Sequence, residues 1–102
     1  MNNIKKTKIV ATIGPVTSSE EMLTKLLQEG LNVIRINFSH GDFAEHQIKM
    51  NNGRAASEKT GIPVAFLQDL GGPKIRIGEF NKESINLKEG EMFTLTTEKI
   101  TG

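Results

Sequence analysis

Cysteine is absent from the sequence, and so is any apolar run long enough to cross a membrane. A chain without cysteine forms no disulfide and no thiolate-ligated metal site, and it is compatible with a reducing compartment. An excess of one charge is lacking too, because 13 Lys plus Arg stand against 12 Asp plus Glu. Proteins that bind nucleic acids or membrane surfaces usually carry a basic excess, so this balance disfavours both classes.

Common targeting and catalytic motifs are also missing. Residues 1–8 are polar and basic with no signal-peptide core after them, so we expect no secretory signal and a cytoplasmic location. The sequence has no internal repeat, P-loop, zinc motif, nucleophile elbow or Rossmann fingerprint. Its 102 residues fit one small domain or a piece of a larger one.

Strand and helix patterns alternate from residue 8 to residue 69. Apolar, β-branched runs predict strands over Lys8–Ile13, Leu31–Ile36 and Val64–Leu67. The first of these runs is typical of a strand buried on both faces. A helix pattern between successive strands gives the order β-α-β-α-β, which implies an α/β fold with a parallel sheet, right-handed crossovers and helices outside.

Capping patterns predict where the two helices begin. Ser18 with Glu21, and Asp42 with Glu45, have the spacing of a capping box. Gly30 predicts the end of the first helix. An apolar stripe at helical period lies between its ends and consists of Met22, Leu23, Leu26 and Leu27.

The second helix is predicted to be irregular or broken. Gly53 lies in its interior, where glycine costs about 1 kcal/mol relative to alanine. Gly61 and Pro63 predict its end. The side chains expected on its buried side are those of Phe43, Ile48, Ala55 and Ala56.

The pattern changes after Asp69. Short strands are predicted over Ile75–Phe80, Ser84–Leu87 and Met92–Thr97, which indicates the start of a small all-β domain. Gly71–Pro73 is interpreted as a hinge between the two parts. Both sheets would have unpaired edges, so we expect the chain to self-associate.

The candidate site lies at the carboxyl ends of the predicted strands, where ligands bind in parallel α/β proteins. Arg35 is costly in an apolar strand unless an anion meets its guanidinium. Two interpretations remain open: an internal ion pair with Asp69, or a bound phosphate. Asn37, Ser39 and Asp69 offer oxygens to a hard cation, although Asn and Ser are also common turn residues.

The two histidines have different expectations. His40 precedes Gly41 and either donates to a phosphate or caps its loop. His46, inside the second helix, is expected to be solvated or partly packed.

Three stretches closely resemble the pyruvate kinase family, in that family's order and spacing. They are Thr7–Pro15 (TKIVATIGP), Arg35–Gly41 (RINFSHG) and Asp69–Arg76 (DLGGPKIR). The resemblance implies a (β/α)8 TIM barrel, of which the chain would hold about three β/α units. Residues 1–73 would belong to this A domain, and residues 74–102 would begin the small β-barrel B domain. Members of the family transfer the phosphoryl group of phosphoenolpyruvate to ADP in glycolysis, as homotetramers.

The resemblance also implies roles for particular residues. Arg35 would bind the transferring phosphoryl group and offset its charge, as a catalytic residue of phosphoryl transfer. His40 and Arg76 would face the nucleotide phosphates. A monovalent cation, usually K⁺, would be held by Asn37, Ser39, Asp69 and the backbone carbonyl of Leu70. The family's catalytic Lys and its Mg²⁺ ligands lie in later strands, so we expect the chain alone to be inactive.

The third stretch departs from the family's usual DTKGPEIR. Leu70, Gly71 and Lys74 replace its Thr, Lys and Glu. Members with Lys at the last of these positions resemble the class that does not require K⁺, since an ammonium can supply the charge that K⁺ otherwise brings. We therefore expect the parent enzyme to work without added K⁺.

Two other functions remain open. The chain could be a stand-alone, non-catalytic module that binds a phosphate ligand or docks on a complete barrel. It could also belong to a different phosphate-handling barrel enzyme, in which case the three matching stretches would be coincidental.

Overall fold

The computed structural model describes residues 5–102, which form two compact units. The first unit ends at Gly72 and the second spans Pro73–Gly102. The elements of the first unit are β1 (Ile9–Thr12), α1 (Glu20–Gln28), β2 (Leu31–Asn37), α2 (Phe43–Thr60) and β3 (Ala65–Asp69). A single 3-10 turn, Pro15–Thr17, precedes α1. The predicted α/β order is confirmed.

The three strands form one parallel sheet with β2 in the centre. Register partners in neighbouring strands point to the same face. Thr12, Arg35 and Leu67 form one such row across the sheet, and Asn37 is the partner of Asp69. The ladder continues past β1, because the Ile13 N–H donates to the carbonyl of Arg35 at 3.1 Å.

Both helices cover the same face of the sheet. The buried core consists of Ile13, Leu23, Leu27, Leu31, Ile34, Ile36 and Ala56. The opposite face, which we call the open face, carries Val10, Thr12, Val33, Arg35, Asn37, Ala65, Leu67 and Asp69. Val10 is 52% exposed there. The prediction that β1 is buried on both faces is therefore wrong for residues 5–102, because both crossover helices lie on one side.

Helix α1 begins one residue later than predicted. The Ser19 Oγ accepts a hydrogen bond from the Met22 N–H at 3.2 Å, while the Ser18 Oγ donates to the carbonyl of Pro15. Leu23 and Leu27 are fully buried, as expected from the apolar stripe. On the exposed side Lys25 donates to Glu21, and this ion pair lowers the pKa of the glutamate.

Helix α2 begins and ends where predicted. The Asp42 carboxylate accepts a hydrogen bond from the Glu45 N–H at 2.9 Å, which completes the predicted cap. Gly61 ends the helix with a φ of 68°, a left-handed conformation that favours glycine.

The interior of α2 differs from the prediction. The helix is continuous through Gly53, and this residue is where α2 approaches the sheet. A Cβ at position 53 would lie 2.8 Å from Phe66 Cζ and 2.9 Å from Ile34 Cδ1. Phe43 and Ile48, expected on the buried side, are 82% and 57% exposed. Ala56 is buried as expected, and the other buried residues of α2 are His46 and Gly53.

The second unit contains neither helix nor strand among Pro73–Gly102. The three strands predicted there are not confirmed, and most of their apolar side chains are exposed, such as Met92 at 95%. A strand needs a paired neighbour and a covered face to be stable, and short isolated pairs are marginal. The main long-range backbone contact of the unit joins Gly102 to Glu79 and Asn81 through hydrogen bonds of 3.0 and 2.7 Å.

Helices of membrane-spanning length and hydropathy are not found in the part of the chain that the structure describes.

Candidate functional site

Arg35 occupies the open face at the carboxyl end of β2. Its register partner in β3 is Leu67, so Asp69 lies two residues further toward the carboxyl end on the same face. One terminal guanidinium nitrogen donates to Thr12 Oγ1 at 2.6 Å, and the other forms an ion pair with the Asp69 carboxylate. The side chains of Arg35 and Asp69 are 32% and 40% exposed, so the pair is open to solvent.

The ion pair between Arg35 and Asp69, one of the two interpretations of the sequence, is therefore formed. The guanidinium has five N–H groups, and it uses its two terminal nitrogens for the contacts with Thr12 and Asp69. These two contacts do not use all of its N–H groups. The binding of a phosphate by Arg35 stays a prediction.

The ends of β2 and β3 are joined by backbone and side-chain contacts. The Phe38 N–H donates to the carbonyl of Asp69 at 2.9 Å. The Asn37 Oδ1 accepts a hydrogen bond from the Ser39 N–H at 3.0 Å, which is the turn role that the sequence left open for this residue. The cluster of Asn37, Ser39 and Asp69 is thus brought to one edge of the sheet.

Ser39 also lies next to the segment that follows β3. A Cβ at Gly71 would be 3.4 Å from the Ser39 Oγ, so a larger residue there would crowd the hydroxyl. His40 is exposed, and its N–H is 3.4 Å from the carbonyl of Asn37. The Leu70 side chain is 70% exposed and makes no part of the core.

Lys74 and Arg76 belong to the second unit. Arg76 donates to the carbonyl of Ile75 at 3.3 Å and is exposed. Their predicted roles at the cation and nucleotide sites stay predictions.

Two residues of the site region were not predicted from the sequence. Thr12 was noted only as part of the end of the first strand, yet its hydroxyl binds the Arg35 guanidinium. The signal that could have found it was the predicted parallel sheet, in which the carboxyl ends of the strands lie at one edge. His46 is 3% exposed, so the expectation of a solvated or partly packed residue is wrong, and its imidazole packs on Phe38.

Amide, hydroxyl and carboxylate oxygens from Asn37, Ser39 and Asp69 are the donors that hard cations prefer. Within residues 5–102 no group of three or more His, Cys, Asp or Glu side chains is arranged to hold a metal ion. A cation at Asp69 would share its carboxylate with Arg35.

The fold and this cluster define a class: a parallel α/β protein whose strand ends carry a partly exposed guanidinium paired with a carboxylate. Comparison with known proteins agrees with that class and narrows it. Residues 4–102 match the family model for the barrel domain of pyruvate kinase.

The relatives that the chain resembles are pyruvate kinases. The chain is 52% identical over 99 residues to the enzyme of Thermotoga maritima, covering 97% of this chain and 21% of that protein. It is 48% identical over 98 residues to pyruvate kinase 2 of Synechocystis, covering 94% and 17%. The crystal structure of a pyruvate kinase from Cryptosporidium parvum superposes with a TM-score of 0.69 and 39% identity, over 74% of this chain and 15% of that one.

The chain belongs to the pyruvate kinase family. It spans about a fifth of the length of these curated relatives.

Proposed function

We propose that the chain is a segment of a pyruvate kinase, which transfers the phosphoryl group of phosphoenolpyruvate to ADP and gives pyruvate and ATP. The observation that carries this proposal is the Arg35 guanidinium on the open face, held between Thr12 and Asp69 at the carboxyl ends of three parallel strands. Phosphoryl transfer depends on positioning and on charge stabilisation, and a fixed guanidinium supplies both.

In this proposal Arg35 is the catalytic residue within the chain. Its N–H groups bind oxygens of the phosphoryl group and offset the charge that they carry in the transition state. Thr12 and Asp69 restrict the guanidinium beforehand, so less rotamer freedom is lost when the substrate binds. His40 and Arg76 bind the nucleotide phosphates.

Cations complete the site. Asn37, Ser39, Asp69 and the carbonyl of Leu70 are proposed to form the monovalent cation site of the family, whose positive charge beside the phosphoryl group the Lys74 ammonium is proposed to supply in place of K⁺. Mg²⁺ would be bound by residues outside the chain. The catalytic Lys lies outside it as well, so the isolated chain is proposed to be inactive, and the parent enzyme to be a cytoplasmic homotetramer.

The proposal is tested on the full product of the gene that encodes the chain. Replacement Arg35→Ala should lower kcat about 100-fold, the usual effect of removing one transition-state donor. The matched control is Arg54→Ala, because the Arg54 guanidinium lies over the Phe66 ring at 5.7 Å, away from the cluster. Pyruvate formation in a coupled assay gives the rates. Equal rates for the wild type and Arg35→Ala would reject the role of this guanidinium.

Lys74 is proposed to make K⁺ dispensable, because its ammonium supplies the charge that K⁺ provides elsewhere in the family. We expect similar activity in K⁺ and in tetramethylammonium. Replacement Lys74→Glu, which introduces the residue usual in the family, should make activity depend on K⁺. Strong activation of the wild type by K⁺ over tetramethylammonium would refute this role.

A stand-alone phosphate-binding module is the second candidate, since the Thr12–Arg35–Asp69 contacts are complete within the chain. It predicts that the 102-residue chain binds phosphoenolpyruvate or ADP in calorimetry and loses this binding with Arg35→Ala. A coding frame that continues past Gly102 supports the enzyme instead.

A further inference from the structure

His46 is a buried polar residue without an evident structural purpose. Its side chain is 3% exposed, and it is the one polar or charged residue that is buried within residues 5–102. Its Nδ1 has no hydrogen-bond partner in that part of the chain. Buried polar atoms are nearly always paired, so this nitrogen calls for an explanation.

The imidazole lies directly beneath the loop that joins β2 to α2, residues 38–42, which we call the β2–α2 loop. The ring stacks on Phe38 with centroids 4.2 Å apart and planes inclined by 31°. Its Cε1 would be 3.3 Å from a Cβ at Gly41. The His46 backbone N–H donates to the carbonyl of Asp42 at 3.1 Å. The imidazole therefore contacts Phe38 at the beginning of the loop and lies close to Gly41, whereas the backbone bond to Asp42 is the ordinary hydrogen bond of a first helical turn.

Packing alone does not account for a histidine here. A phenyl ring would make the same kind of stacking contact with Phe38 and would leave no polar atom unpaired. Positions where a residue breaks such a rule are commonly functional ones. Gly41, beside the ring, has a φ of 73° and no side chain, so the backbone of the loop comes close to the imidazole.

We infer that His46 is a positioning residue for the β2–α2 loop. The Nδ1 atom of His46 forms a hydrogen bond with the loop backbone when the nucleotide phosphates bind. The inference rests on the proposed function, in which His40 of this loop meets those phosphates. His46 touches no substrate. It acts by holding the loop in the conformation that presents His40.

The test compares variants of the full gene product. His46→Phe keeps the ring and removes the nitrogen, so its melting temperature should stay the same or rise. The KM for ADP should increase about five-fold, the effect of one lost hydrogen bond. The KM for phosphoenolpyruvate and kcat should stay within about two-fold of the wild type, because Arg35 is held by Thr12 and Asp69, which lie outside the loop.

Two further variants separate positioning from stability. Ala56→Gly alters a buried residue of α2 more than two turns from the loop, so it should lower the melting temperature and leave the KM for ADP unchanged. His46→Gln retains a hydrogen-bonding group and should recover part of the affinity that His46→Phe loses. If His46→Phe does not fold, His46→Gln and His46→Met form the same comparison, since the two side chains are similar in size and differ in polarity.

Three outcomes would overturn the inference. The first is a KM for ADP in His46→Phe that equals the wild-type value, which leaves the residue only a packing role. The second is an equal change in both KM values, and the third is a rise in KM for Ala56→Gly. A wild-type protein with no pyruvate kinase activity would reject the proposed function itself, and no variant is needed to see that result.

Discussion

Arg35 has its position because of the register of the parallel sheet. Thr12 is its direct partner on one side, and Asp69 lies two residues beyond its partner on the other. A long side chain can reach such a diagonal neighbour. Both contacts are on the open face, so the guanidinium is partly solvated.

Thr12 is expected to position Arg35 rather than to stabilise the fold, because its hydroxyl is at the solvent-facing end of β1. In the full gene product, Thr12→Val should raise the KM for phosphoenolpyruvate about three- to ten-fold, the effect of one lost hydrogen bond. Steady-state kinetics measures the change.

Thr12→Ser is the matched control, since it keeps the hydroxyl and should retain a KM near that of the wild type. A Thr12→Val enzyme with unchanged KM for phosphoenolpyruvate would contradict a positioning role for Thr12.

At the scale of elements, Gly53 determines how closely α2 approaches the sheet. The large apolar side chains of Phe43 and Ile48 in α2 are exposed and do not pack against the sheet. The helix packs instead through a surface of small residues, with Phe66 and Ile34 directly against Gly53. Glycine therefore allows the close approach of helix and sheet that forms the core, although it lowers helix propensity.

Gly53→Ala should destabilise the first unit, by about 1–2 kcal/mol. The added methyl group overlaps with Phe66 and Ile34, and overpacking of this kind usually outweighs the gain of about 1 kcal/mol in helix propensity. Urea unfolding followed by circular dichroism measures the change.

The contact with Phe66 can be tested in a double-mutant cycle. Phe66→Leu removes the ring atom nearest to position 53, so Gly53→Ala should cost less in that background. Additive effects of the two substitutions would show that the ring is not the source of the overlap.

At the scale of the whole molecule, the core belongs to the first unit. Every buried apolar residue of the core cluster lies between Ile13 and Ala56, and the second unit contributes none. We expect a chain that ends at Gly72 to retain the cooperative unfolding transition of the 102-residue chain. Thermal unfolding of the two chains gives the comparison. Loss of the transition in the shorter chain would show that residues 73–102 are needed for folding.

The open face is expected to promote self-association of the isolated chain. Leu67 is 42% exposed and Val10 52% exposed on this face, and within residues 5–102 the strands β1 and β3 each pair only with β2. Apolar surface and free strand edges of this kind favour pairing with a second copy. Sedimentation should detect species larger than a monomer.

Leu67→Lys should weaken this association by placing a charge on the open face. The control is Ile48→Lys, which changes a similarly apolar residue of α2 that is 57% exposed, on the helical side of the sheet. A compact monomer at high concentration for the wild type would refute the prediction.

Local sequence determined the order of elements, the cap at Asp42, the helix end at Gly61 and the position of Arg35 at the end of a strand. Each of these depends on residues within a few positions of one another, and propensities and capping act over that distance. The three stretches that resemble the pyruvate kinase family are also short runs of neighbouring residues, and their order and spacing carry the resemblance.

Tertiary structure alone decided the contact of Arg35 with Thr12, the burial of His46 and the approach of α2 at Gly53. It also left residues 73–102 without the predicted strands. All of these depend on which elements become neighbours, on strand register and on which face of the sheet is covered. Residues far apart in the chain set those features together, because a side chain is buried or paired only when another element supplies the contact.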